Sequence, residues 1–168
     1  MIKPCIIGLG YVGLPILINL SKKYESIGYD NNKNRIKKLS KGIDFFKEIE
    51  KKKLLNKSIS YTNSLEKIKN SNLYIVTVPT PILRNKTPDL KHLKNVCNIL
   101  SKVIKKNDIV IFESTVYPGL TNDYCVPLLE KKNLWKEGID FFVGYSPERV
   151  NPGDKNHDLN KINKILAY

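Results

Sequence analysis

The stretch KPCIIGLGYVGLPILINL, residues 3–20, sets three glycines, Gly8, Gly10 and Gly13, within six positions between a short apolar run and a segment of helical character. A strand that turns directly into a helix accounts for so bare a backbone. Gly8 would end the strand in a tight turn, Gly10 would let the chain approach a diphosphate, and Gly13 would let the helix pack closely on the sheet. The helix start then presents free N–H groups and the positive end of its dipole to the phosphates. Pro15 sits near that start, where a missing N–H costs little.

Glycines serve turns everywhere, so the surrounding pattern has to decide. A second apolar run, SIGYD, ends at Asp30, 22 residues beyond Gly8. An acid in that place accepts hydrogen bonds from a ribose diol and repels a 2′-phosphate, which favours NAD over NADP. Asp30 could also cap a helix beginning near Asn32.

Farther along, short runs rich in Ile, Val, Phe and Tyr alternate with helical patterns. Strands are expected at Pro4–Gly8, Glu25–Tyr29, Ile59–Thr62, Leu73–Val78, Ile109–Ser114 and Phe141–Tyr145. Helices are expected over Tyr11–Lys23, Asn32–Lys41 with Gly42 as a stop, Asp44–Asn56, Ser64–Lys69 and Thr121–Lys132. The clearest helix follows Asp89, where Leu90, Leu93, Val96, Cys97, Leu100, Val103 and Ile104 form one apolar stripe. Right-handed crossovers turn this alternation into an α/β Rossmann-type, doubly wound, mainly six-stranded parallel sheet. With 168 residues and 41% hydrophobic composition, one domain over residues 1–168 is expected.

Charge and cysteine usage narrow the function classes. The net charge of +13 would ordinarily suggest nucleic acid. Yet 26 of the 29 basic residues are Lys, and Lys, Asn and Ile make up 64 of the 168 residues, the mark of an AT-rich coding sequence. Base readers favour Arg, and no zinc-finger or RNA-recognition motif is present, so no nucleic-acid partner is expected. The ten basic residues between positions 31 and 57 read as solvated helix faces. Cys5, Cys97 and Cys125 lack metal or disulfide spacing, so no metal site is expected. Neither a signal peptide nor a membrane span is visible, which points to the cytoplasm.

Four ordered motifs, GLGYVGLP, VPTPI followed by PDL, ESTVYPG and GYSPERVNPGD, resemble those of the UDP-glucose/GDP-mannose dehydrogenase family, the nucleotide-sugar 6-dehydrogenases. The likeness runs nearly end to end. Within the family, YSPERVNPGDKNHDL looks most like the UDP-N-acetylglucosamine and UDP-N-acetylgalactosamine 6-dehydrogenases of bacterial polysaccharide synthesis. The resemblance implies oxidation of a sugar C6 alcohol to a carboxylate, with two hydride transfers to NAD and an enzyme thioester that water cleaves.

It also implies roles for particular residues. Gly8, Leu9, Gly10, Tyr11, Val12 and Gly13 would form the dinucleotide loop, with Asp30 on the ribose and Arg35 against the adenosine end. Val78, Pro79 and Thr80 would line the cofactor at the end of the fourth strand, and Ser114 and Thr115 would stand at the end of the fifth, Thr115 holding an oxygen or water beside the nicotinamide. Glu148 would be the general acid or base of thioester hydrolysis. Simpler roles remain open: Thr80 and Thr115 as turn or cap residues, Glu148 as the ion-pair partner of Arg149, and His157 as a surface residue.

The family's nucleophilic Cys, substrate-domain Lys and central dimer helix have no counterpart among the motifs found here. The chain by itself is therefore expected to be inactive. A UDP-sugar substrate is expected, with a homo-oligomer as in the full-length family; the chain reads as a truncated reading frame, a fragment, or one piece of a split enzyme whose substrate-domain half is separately encoded. A non-catalytic NAD-binding remnant or subunit, or a dehydrogenase for UDP-glucose or UDP-N-acetylmannosamine, are the alternatives.

Overall fold

The computed structural model describes residues 1–47, 49–131 and 134–147. Its strands are β1 (Pro4–Ile7), β2 (Ser26–Tyr29), β3 (Ile59–Thr62), β4 (Leu73–Val76), β5 (Ile109–Phe112) and β6 (Phe142–Tyr145). They form one six-stranded sheet in the order β3-β2-β1-β4-β5-β6. Every pairing is parallel, with Cys5 opposite both Ile27 and Tyr74 at the centre. The chain order reverses between β1 and β4, which opens a crevice at the strand ends, where open α/β sheets bind their ligands.

The connecting helices are α1 (Gly13–Leu20), α2 (Lys33–Leu39), α3 (Lys51–Leu54), α4 (Leu65–Ile68), α5 (Lys91–Leu100) and α6 (Val126–Glu130). A π-helical turn, Thr121–Cys125, leads into α6. Alternate residues of each central strand point to opposite faces, and this period of two divides the interior into two cores. Ile6, Ile75 and Ile111 pack with Leu14, Leu17, Leu39 and Leu54 from α1, α2 and α3. Cys5, Ile7, Tyr74, Val76, Val110 and Phe112 pack with Ile68, Leu93, Val96, Leu100 and Leu129 from α4, α5 and α6. Helices thus cover both faces, as a continuously apolar parallel strand requires.

Each expected helix is shorter in the structure, and two also differ in kind. The span Asp44–Asn56 yields only the single turn of α3, because Asp44 is drawn into an ion pair with Arg35 and Lys47 adopts a left-handed φ of 56°. The helix expected over Thr121–Lys132 divides into the π turn and α6, and Lys132 lies outside the described residues.

Among the described residues, β6 is the outermost strand on its side of the sheet. One of its outward amides, Val143 N–H, donates to Glu137 Oε1 at 3.3 Å.

Candidate functional site

The glycine loop joins β1 to α1 at the crevice. Gly8 takes φ +97°, a conformation open to glycine and strained for L side chains. Its N–H donates to the Tyr29 carbonyl at 2.9 Å, and its own carbonyl accepts Thr77 Oγ1 at 2.7 Å. A Cβ on Gly13 would overlap the Gly8 carbonyl and Thr77 Oγ1, so α1 reaches the sheet only because that residue lacks one. Around Gly10 the situation is the reverse: a Cβ there would meet nothing within 4 Å. The start of α1 has no side-chain cap at Val12.

Asp30, just past β2, faces this loop. Its Oδ2 accepts the Leu9 N–H at 2.9 Å and its Oδ1 accepts the Asn32 N–H at 2.8 Å. The cap of α2 is Asn32 instead, whose Oδ1 accepts the N–H groups of Asn34 and Arg35 at 3.0 and 3.2 Å. Arg35, on α2, donates from Nε to the Leu9 carbonyl at 2.9 Å and from Nη1 to Asp44 Oδ1 at 2.9 Å. Its guanidinium lies 5.3 Å from the centre of the Phe46 ring, and its buried Nη2 has no hydrogen-bond partner.

Two clefts meet at Gly10 and Asp30. One, of about 310 Å³, is bounded by Leu9, Asn32, Arg35, Lys38 and Phe46. The other, of about 290 Å³, lies over Gly8, Thr77, Val78 and Pro79, with Asn95, Val96 and Ile99 of α5 as its far wall. An open glycine backbone, a carboxylate and an apolar slot side by side suit a dinucleotide: phosphate against the loop, diol against the acid, a flat base in the slot.

Beyond the switch point, hydroxyl groups tie the strand ends together. Ser114 Oγ donates to the Val78 carbonyl at 2.7 Å, and Thr80 Oγ1 donates to the Thr115 carbonyl. Past Thr80 the chain folds back on itself, with Leu83 N–H to the Thr87 carbonyl at 2.8 Å and Asp89 N–H to the Pro81 carbonyl at 2.7 Å. Val78, Pro79, Thr80, Ser114 and Thr115 therefore share one rim. Glu148 and His157 lie outside the described residues. The sequence reading missed Thr77 and Asp44. Thr77 stands just before VPTP, a hydroxyl at the end of an apolar run. Asp44 gave no local cue because its partner lies nine residues upstream.

Cys5, Cys97 and Cys125 are buried and unpaired by disulfide. Burial pushes the Cys5 thiol well above its ordinary range. The Cys97 thiol is raised by its hydrogen bond with Cys125 and by burial. None of the three borders either cleft. Among the described residues no cluster of His, Cys, Asp and Glu could hold a metal, and no helix is long and apolar enough to cross a membrane.

Residues 2–167 match the NAD binding domain of the UDP-glucose/GDP-mannose dehydrogenase family. Over 167 residues the chain is 48% identical to the UDP-N-acetyl-D-glucosamine 6-dehydrogenase of Pseudomonas aeruginosa, covering 99% of this chain and 40% of that protein. The fold is similar to the UDP-D-ManNAc dehydrogenase of Pyrococcus horikoshii, with a TM-score of 0.84 and 35% identity over 90% of this chain and 37% of that one. A ternary complex of GDP-mannose dehydrogenase from Pseudomonas aeruginosa gives a TM-score of 0.82 and 31% identity over 88% of this chain and 36% of that one. The chain spans about 40% of the length of the curated relatives it matches.

Proposed function

Because the chain belongs to the UDP-glucose/GDP-mannose dehydrogenase family and matches its NAD-binding domain, we propose that residues 1–168 form one domain serving a nucleotide-sugar 6-dehydrogenase. The whole protein would oxidise the C6 alcohol of a UDP-N-acetylhexosamine to a uronic acid, with NAD accepting hydride. The substrate class rests on the 48% identity to a protein named for UDP-N-acetyl-D-glucosamine.

In this reading Leu9 to Val12 present backbone N–H groups to the diphosphate, between the turn at Gly8 and the close approach at Gly13. Asp30 accepts the adenosine ribose diol with lone pairs left free by Leu9 and Asn32, since a carboxylate offers about four acceptor sites. Arg35 stands behind the loop at the adenosine end. Val78 and Pro79 form part of the slot for the flat base. Thr80 and Ser114 fix the rim from which Thr115 holds an oxygen near the nicotinamide. Glu148 takes or gives the proton when the acyl intermediate is hydrolysed. A substrate-domain half would complete the site, with a homo-oligomer as its setting. The free thiols suit a reducing compartment, and we place the reaction in the cytoplasm.

The observation that carries this reading is Asp30 set against the open face of Gly10. Titration of the chain with NAD and NADP tests it: saturable NAD binding with NADP at least tenfold weaker supports it, and binding of neither overturns it. The burial of all three cysteines favours a second reading, a cofactor-binding subunit that performs no acyl chemistry itself. Restored turnover on mixing with the substrate half of a related enzyme separates the two.

A further inference from the structure

Resting on the dinucleotide reading above, we propose that Asp44 is a positioning residue for the diphosphate-binding loop, acting through Arg35. The loop contains two consecutive peptide units, and each is held at identifiable atoms. Gly8–Leu9 is fixed through its carbonyl by Thr77 Oγ1 at 2.7 Å and through its N–H by Asp30 Oδ2 at 2.9 Å. Leu9–Gly10 is fixed through its carbonyl by Arg35 Nε at 2.9 Å. In a trans peptide the N–H points opposite to the carbonyl, so the hold on Leu9 O turns the Gly10 N–H away from Arg35. The direction that donor presents to a phosphate therefore depends on where the guanidinium is kept.

Asp44 keeps it there. Its Oδ1 meets Arg35 Nη1 at 2.9 Å, and the two side chains are only 2% and 11% exposed. A pair so removed from water is sensitive to loss of either partner, because the survivor is left as an uncompensated charge. The segment around Asp44 supports the same arrangement a second time. Asp44 Oδ1 accepts the Phe46 N–H at 3.3 Å, which brings the Phe46 ring to 5.3 Å from the guanidinium. The same ring packs edge-on against Tyr11, with centroids 6.0 Å apart. The segment following α2 thus grips the glycine loop at Leu9, through Arg35, and at Tyr11, through Phe46. α2 has its own cap in Asn32, so its N-terminus does not need this pair.

The test is NAD affinity of the 168-residue chain carrying Asp44→Asn, Arg35→Ala or both, with melting temperatures measured alongside. Asp44→Asn keeps the size of the side chain and serves where Asp44→Ala fails to fold. It should weaken NAD about tenfold, the scale on which outer partners of binding groups act. In the Arg35→Ala background the same change should cost less than twofold, because the route runs through Arg35. ADP should follow NAD. Wild-type affinity in Asp44→Asn, or losses that multiply in the double variant, would overturn the proposal. A wild-type chain that binds no NAD would instead remove the dinucleotide reading on which it stands.

Discussion

Thr77 Oγ1 donates to the Gly8 carbonyl at 2.7 Å and to the Ile7 carbonyl at 3.2 Å, so the end of β4 holds the first turn of the glycine loop from behind. Thr77→Val keeps the shape and removes the donor. It should destabilise the fold by about 1–2 kcal/mol and weaken NAD, whereas Thr77→Ser should retain both. Thermal unfolding and an NAD titration of the two variants check this.

Asp30 anchors Leu9 and, in the proposed reading, also accepts the ribose diol. Asp30→Ala should narrow the preference for NAD over NADP and also lower stability by about 1.5–3 kcal/mol, the range for hydrogen bonds to a charged group. Asp30→Asn should keep more of the stability than of the discrimination, since an amide oxygen can still accept one N–H while the charge that repels a 2′-phosphate is gone. Parallel titrations with both cofactors and melts of both variants decide it; equal NAD and NADP affinity in the wild type would contradict the assignment.

The loop glycines should separate sharply on substitution. Gly13→Ala drives a methyl group into the Gly8 carbonyl and Thr77, and a loss of more than about 4 kcal/mol is expected. Gly10→Ala meets no protein atom and should fold normally, yet it should bind NAD at least tenfold more weakly because the methyl group stands where the diphosphate must come. Melting curves and NAD affinities of the two variants make the comparison.

Thiol chemistry offers a pH-dependent check. Burial holds Cys5 protonated, and its hydrogen bond with Cys125 together with burial does the same for Cys97. The native chain at pH 8 should react with none of its thiols on a timescale on which the unfolded chain reacts with all three. The unfolded state releases the Cys5 and Cys97 protons from about pH 8.5 while the folded state retains them, and these two outweigh Cys125, whose thiol the hydrogen bond with Cys97 shifts down. Stability that is complete below that value should therefore fall as pH climbs past it. Reagent titration with and without denaturant, and melts from pH 7 to 10, test both statements.

With every cysteine buried outside the clefts, the 168-residue chain alone should form no uronic acid from UDP-N-acetylglucosamine. Two NADH per sugar from the isolated chain would show that a nucleophile lies within it.

Much of this architecture is legible in the residues themselves. Six apolar runs became six parallel strands, because a strand buried on both faces has to be apolar throughout. The glycine spacing and Asp30 emerged together because a tight turn and a ribose acceptor are local demands. Asp44 escaped because an ion pair between loop and helix has no periodicity, and it stands where a helix start was expected. The ambiguity at Asp30 yielded only to geometry: Asn32 caps α2, and Asp30 is left to the loop. The ties from Thr80 to Thr115 and from Ser114 to Val78 join residues 35 and 36 positions apart, a distance that no local pattern encodes.

Glu137, which accepts the outward Val143 amide, bears on how concentrated solutions of the chain behave. The margin of a sheet is a template on which another polypeptide can add a strand, and nearby Leu134, Ile139 and Phe142 are exposed apolar side chains that would reward such addition. A carboxylate occupying one amide blocks a rung of that ladder and places negative charge against an incoming backbone carbonyl. Handling and storage of the chain thus depend on a residue remote from the glycine loop, and Glu137→Ala, which frees that amide, would favour association of copies through this margin.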